Sequence, residues 1–176
     1  MPVMDSCAVL LLGGRSGAGK SSVAVEVSTR LRDRGVAHCL LEGGTLDQVH
    51  PAPPGDPDRA LITERNLAAI WRNYAELGHR KLVYCNTASL LDAPMFLRVL
   101  GESARLIPVL LTASDATVGE RLAGREIGSG LEEHLRRSAA AARELDRTVP
   151  AETVRIPTGG STVSWIAERA IAATGW

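Results

Sequence analysis

Residues 7–12 (Cys-Ala-Val-Leu-Leu-Leu) are a continuous apolar run halted by Gly13-Gly14, the pattern of a strand buried on both faces of a parallel sheet. From 21 to 34 the period changes. Val23, Ala24, Val27 and Leu31 fall on one helical stripe, and Gly35 stands where a helix C-terminus favours a left-handed residue. Apolar runs at 36–41, 81–85, 105–111 and 152–156 predict four more strands, separated by segments of helical period. Leu67, Ile70, Trp71, Tyr74 and Leu77 mark a helix closed by Gly78. Leu131, Leu135, Ala139, Ala142 and Leu145 mark a later one, with Glu132/Arg136 and Glu133/Arg137 as i,i+4 pairs, and a last helix is predicted over 161–173. Strict alternation of this kind predicts an α/β fold of three layers, a five-stranded, mostly parallel sheet with helices on both faces.

Length and composition narrow the picture. The 176 residues suit a single domain spanning 1–176. Acidic and basic residues balance at 20 each and 45% of positions are hydrophobic, which argues against disorder and against a polycationic arm, so no nucleic-acid partner is expected. No apolar run approaches the roughly 20 residues of a membrane helix, so no membrane partner is expected either. Cys7, Cys39 and Cys85 lie in apolar runs without C-x-x-C spacing, the pattern of reduced core thiols and a cytoplasmic location. Trp71 and Trp165 sit on apolar stripes and read as core. His38, His50, His79 and His134 have neither metal spacing nor a nucleophile partner. Four prolines within 50–58 forbid regular structure there, and that segment is either a covering flap or a plain connector. Monomer and homodimer both remain open.

The chemistry is concentrated between the first strand and the first helix. Gly14-Arg15-Ser16-Gly17-Ala18-Gly19-Lys20-Ser21 fits G-x-x-x-x-G-K-[ST], the phosphate-binding loop. Its glycines let backbone N–H groups turn inward, and the helix that follows presents its positive end through Ser21 and Ser22. Lys20 reaches the outer phosphates and the Ser21 hydroxyl ligates Mg²⁺. Only Lys20 and Lys81 among the 20 basic residues are lysines, which makes a lysine at the motif position informative. A Rossmann reading fails on the glycine spacing.

Three stretches together resemble the small P-loop kinases of the nucleoside-monophosphate-kinase branch, among them shikimate, gluconate and adenylylsulfate kinases and chloramphenicol phosphotransferase. They are the phosphate loop, Leu40-Leu41-Glu42-Gly43-Gly44-Thr45-Leu46-Asp47, and Val109-Leu110-Leu111-Thr112-Ala113-Ser114-Asp115 leading to Arg121-Leu122-Ala123-Gly124-Arg125. The resemblance implies a P-loop fold, ATP and Mg²⁺ as cofactors and a small-molecule acceptor. It also implies an acidic pair, D-x-D or D-G-D, after the second strand. This chain has Glu42 at the first acidic position and Gly44 at the second, so either Glu42 or Asp47 is the base, or catalysis is weak. Arg121 and Arg125 are implied to clamp phosphates, with Arg125 opening a glycine-containing lid at about 124–137 that includes Gly128 and Gly130. Arg59 and Arg65 are candidates for an anionic or polar acceptor. Thr158 and Gly159 are candidates for the loop that edges the adenine, or simply for a turn before the last helix.

These features place an ATP-dependent phosphotransferase first among three classes. A P-loop NTPase coupled to motion is opposed by the end of the third strand, Cys85-Asn86-Thr87, which carries no acidic residue. A nucleotide-binding module without catalysis is kept open by Gly44.

Overall fold

In the computed structural model, which describes residues 6–125 and 130–176, five strands make one sheet. They are β1 (Ala8–Gly13), β2 (Cys39–Glu42), β3 (Lys81–Cys85), β4 (Arg105–Thr112) and β5 (Val154–Pro157), in the order β2-β3-β1-β4-β5, with every neighbouring pair parallel. Six helices connect and cover them: α1 (Lys20–Asp33), α2 (Ala60–Glu76), α3 (Ala93–Leu100), α4 (Asp115–Ala123), α5 (Leu131–Thr148) and α6 (Val163–Thr174). The α/β class, the five strands and the two covered faces agree with the expectation from the sequence. Central β1 is buried along its whole length, which is why its run is continuous rather than alternating. Its even residues Ala8, Leu10 and Leu12 join the core with Val23, Val27 and Leu31 of α1 and Ile166, Ala170 and Ile171 of α6. Val9 and Leu11 face the other core, built from Leu67 and Trp71 of α2, Met95 and Phe96 of α3 and Leu145 of α5.

Helix ends follow local chemistry. Gly35, with φ 69°, donates to the Arg32 carbonyl while Val36 donates to Leu31, and Gly78, with φ 93°, repeats the pattern as Gly78 and His79 donate to Ala75 and Tyr74. Both are Schellman closures, which only a residue free to adopt positive φ completes without strain. The closure at Gly35 consumes Val36, so β2 begins at Cys39 rather than at 36.

The proline-rich segment is anchored. Asp56 is buried, and its carboxylate accepts hydrogen bonds from the Leu61 and Ile62 N–H groups at 3.1 and 2.9 Å, capping α2 from outside the helix. Burial opposes its ionisation, but the N–H groups of Ile62, Leu61 and Ala60, together with the positive charge of Arg65, hold its pKa below the ordinary 3.8. A carboxylate whose pKa is lowered on folding stabilises the fold above its unfolded value and loses that contribution as pH falls through the folded one. Asp56→Asn is therefore expected to lower the melting temperature by a few degrees at neutral pH. Its urea midpoint should converge with that of the parent as pH drops below 3.8; parallel curves across that range would contradict the cap.

Two aromatic and thiol expectations shift. Trp71 is buried as expected, but Trp165 is 44% exposed, with the Arg169 guanidinium 5.3 Å from its ring, because α6 turns Ile166, Ala167, Ala170 and Ile171 inward instead. Cys39 and Cys85 are buried and Cys7 half-buried, and all three thiols are free. Among the described residues, no helix is long and apolar enough to cross a membrane.

Candidate functional site

The carboxyl ends of the parallel strands gather the loops after β1, β2, β4 and β5, and β1 lies where the connections part to opposite sides of the sheet, the place an open α/β sheet offers a ligand. The loop from Gly14 to Gly19 closes there. A Cβ on Gly14 would stand 2.6 Å from the Leu111 carbonyl oxygen, and Gly19, at φ 94°, makes the left-handed turn into α1. Ser114 and Thr162 cap α4 and α6 with their hydroxyls, whereas no side chain caps α1. Its first N–H groups therefore remain available to an anion, with Ser21 and Ser22 exposed in the first turn. Lys20 Nζ donates to the Arg15 carbonyl at 3.1 Å. Burial pushes its pKa below the ordinary 10.5, against the opposing pull of the Glu42 carboxylate.

Glu42 ends β2 directly opposite Cys85 at the end of β3, so strand register brings its carboxylate to the flank of Lys20. The Cys85 thiol, pushed up to about 12 by burial and by the Glu42 carboxylate, stays protonated beside it. Beyond Glu42 the chain makes a 3-10 turn, Gly43–Thr45. A Cβ on Gly43 would clash with Tyr84 Oη, so only glycine lets this turn pass over the buried ring, whereas a Cβ on Gly44 would meet nothing within 4 Å. The position of the missing second carboxylate is thus open space. Asp47 lies one turn further and lines a polar pocket of about 440 Å³ with Gln48, Val49, His50 and Arg59. Arg59 is the sole non-glycine residue with positive φ among the described residues, at 58°, and its Nε donates to the Val49 carbonyl. The structure brings Arg59 and Asp47 together but turns Arg65 to the neighbourhood of the Asp56 carboxylate.

On the opposite side Arg121 ties the loops together. Its guanidinium donates to the Gly17 carbonyl at 3.1 Å and to the Thr158 hydroxyl and carbonyl at 3.1 and 3.0 Å. Thr158 in turn is anchored to Thr112 at the end of β4, which sets Gly159 beside Thr117. Arg125 is exposed just past α4. Of the expected lid, Gly128 lies outside the described residues, and 131–137 form the first turns of α5.

Sequence reasoning missed three residues. Arg15, 4% exposed, pairs with Asp115 and donates from Nε to Ser138 Oγ at 2.9 Å; Ser138 Oγ donates to the Ser16 carbonyl at 2.8 Å; and His134 Nε2 lies 2.7 Å from Ser16 Oγ. The available signal was small: two polar residues four apart on the inward face of a predicted amphipathic helix.

Comparisons with known proteins bear on the fold that carries this site. The family model for adenylylsulphate kinase matches residues 6–50, the stretch from β1 through the phosphate loop to the turn after Glu42. No curated protein sequence matches the chain. Among solved structures, the Mycobacterium tuberculosis adenylylsulphate kinase in complex with AMPPNP and APS is 20% identical, covering 97% of this chain and 98% of that one with a TM-score of 0.59. A Sinorhizobium meliloti gluconokinase is 20% identical over 97% and 91%, with a TM-score of 0.57. The Deinococcus radiodurans tunicamycin resistance protein is 21% identical over 96% of each chain, with a TM-score of 0.62. These likenesses show the fold: the chain has that of the small P-loop kinases.

Proposed function

We propose that the protein is a cytoplasmic ATP-dependent phosphotransferase that moves the γ-phosphate of ATP to a hydroxyl or phosphate group of a small-molecule acceptor. The observation that carries this reading is the placement of Glu42. Its carboxylate flanks the Lys20 ammonium from the end of β2, and the chain runs on from it to Asp47 in the polar pocket shared with Arg59. A carboxylate there faces an incoming acceptor rather than a water molecule held at β3, where the chain offers Cys85 and Asn86.

In this reading the N–H groups of the loop 14–20 and of Ser21 and Ser22 bind the phosphates, and Lys20 spans the outer two. Arg121, Thr158 and Gly159 border the adenine. The Ser21 hydroxyl suits Mg²⁺, which keeps most of its waters and takes phosphate oxygens alongside few protein ligands. Bound there, the metal would neutralise charge on the phosphates. Glu42 accepts the proton as the acceptor oxygen attacks the γ-phosphorus and ADP leaves. Arg125 donates to the phosphoryl oxygens as charge builds. Arg59 and Asp47 orient the acceptor.

One observation favours a second reading. Gly44 leaves the site with a single carboxylate at the end of β2, as a nucleotide-binding module without transfer would have. The deciding experiment follows ADP release from MgATP with and without pools of small metabolites. Release that rises with a particular pool is the expected result. Release indifferent to every pool means an NTPase, and binding without release means a module.

A further inference from the structure

The first half of the phosphate loop is held from outside by one face of α5. Ser138 is 3% exposed, and its hydroxyl bridges the loop: it accepts from Arg15 Nε at 2.9 Å and donates to the Ser16 carbonyl at 2.8 Å. One turn earlier on the same face, His134 Nε2 sits 2.7 Å from the Ser16 hydroxyl. Apolar burial seats α5 at Leu145, two turns beyond Ser138. Near Arg15 a pocket of about 190 Å³ is lined by Leu110 and Leu111 of β4 and Ala142 and Leu145 of α5, among others. Polar bonds hold the helix to the loop there.

Peptide planarity gives those bonds a consequence. In a trans peptide unit the carbonyl and the following N–H point in opposite directions. Drawing the Ser16 carbonyl outward to Ser138 therefore turns the Gly17 N–H inward, toward the space the loop encloses. The Arg15 carbonyl already serves Lys20 Nζ and the Ala18 N–H, at 3.1 Å each, so the Arg15–Ser138 bond also steadies the acceptor on which Lys20 rests.

We propose that Ser138 and His134 are positioning residues for the phosphate loop, which hold the Ser16 carbonyl and hydroxyl so that the Gly17 N–H is preset toward a nucleotide phosphate. The inference rests on the reading of the loop as a nucleotide site and adds to it an outer support, supplied by a helix more than a hundred residues away. Presetting an amide removes the cost of ordering it when the ligand arrives, so the loss on removing its support appears in affinity.

The test measures MgATP affinity by calorimetry for the parent protein and for Ser138→Ala, Ser138→Thr, His134→Ala and His134→Gln, with urea unfolding of each unliganded protein. Ser138→Ala should weaken MgATP by about tenfold and His134→Ala by about threefold to tenfold, the scale of one lost supporting hydrogen bond. Threonine keeps the hydroxyl and glutamine keeps an amide at the reach of Nε2, so both should return to within about threefold of the parent. Should Ser138→Ala fail to fold, the half-exposed His134 pair carries the test. Parental affinity in the alanine variants overturns the inference, as does an equal loss in the alanine and conservative variants. A parent that binds no MgATP overturns the reading of the loop itself, and this inference with it.

Discussion

Lys20→Ala is expected to reduce acceptor-dependent ADP release by about 10³ or more, the scale of removing a donor aimed at developing phosphoryl charge in a dry site. MgATP binding should weaken as well. The fold, however, should not suffer. Burial lowers the Lys20 pKa below 10.5, with the Glu42 carboxylate only partly opposing, so the folded protein binds this proton less tightly than the unfolded chain does. For such a group stability rises with pH between the folded and unfolded pKa values, and below that window the charged side chain is a net cost to folding. Alanine removes that cost, and the unliganded variant should unfold at the same urea concentration as the parent or a higher one. Parental turnover in Lys20→Ala would overturn the site assignment. A large loss of stability would show that Lys20 serves the core through its bond to the Arg15 carbonyl rather than a ligand.

What could be read from the chain divides along physical lines. β1, the phosphate loop and α1 were legible because each is a local signal: an unbroken apolar run, glycines at fixed spacing, and a stripe of four residues that are the four buried on α1. The glycines that close α1 and α2 were legible for the same reason. α3 was legible only as an unbounded segment of helical period between the third and fourth strands, since it has only two turns and its Met95, Phe96 and Leu100 merge with neighbouring apolar positions. Trp165 was placed inside by its apolar neighbours, but a helix packed on one face leaves the residue next to the stripe outside. Arg15, Ser138 and His134 carried almost no signal. Their bonds join positions 118 to 123 residues apart, and no periodicity reports which polar residue of α5 will face which loop.

The second large effect concerns the base and uses the acceptor identified by the metabolite screen. Glu42→Gln keeps shape and removes the proton acceptor, so phosphoryl transfer should fall by about 10² to 10⁴. MgATP affinity should change little, because the carboxylate acts on the acceptor hydroxyl and not on the nucleotide. Asp47→Asn should act mainly on the KM of the acceptor, since Asp47 shares its pocket with Arg59 and His50 rather than flanking Lys20. Gly44→Asp completes the argument. A side chain at 44 enters open space, unlike one at 43, so a second carboxylate fits without disturbing the turn over Tyr84. Placed two residues from Glu42, it should restore part of the transfer lost in Glu42→Gln. If Glu42→Gln transfers at the parental rate while Asp47→Asn does not, the base is Asp47. If Gly44→Asp neither destabilises the protein nor restores transfer to Glu42→Gln, a carboxylate at 44 does not reach the reacting hydroxyl.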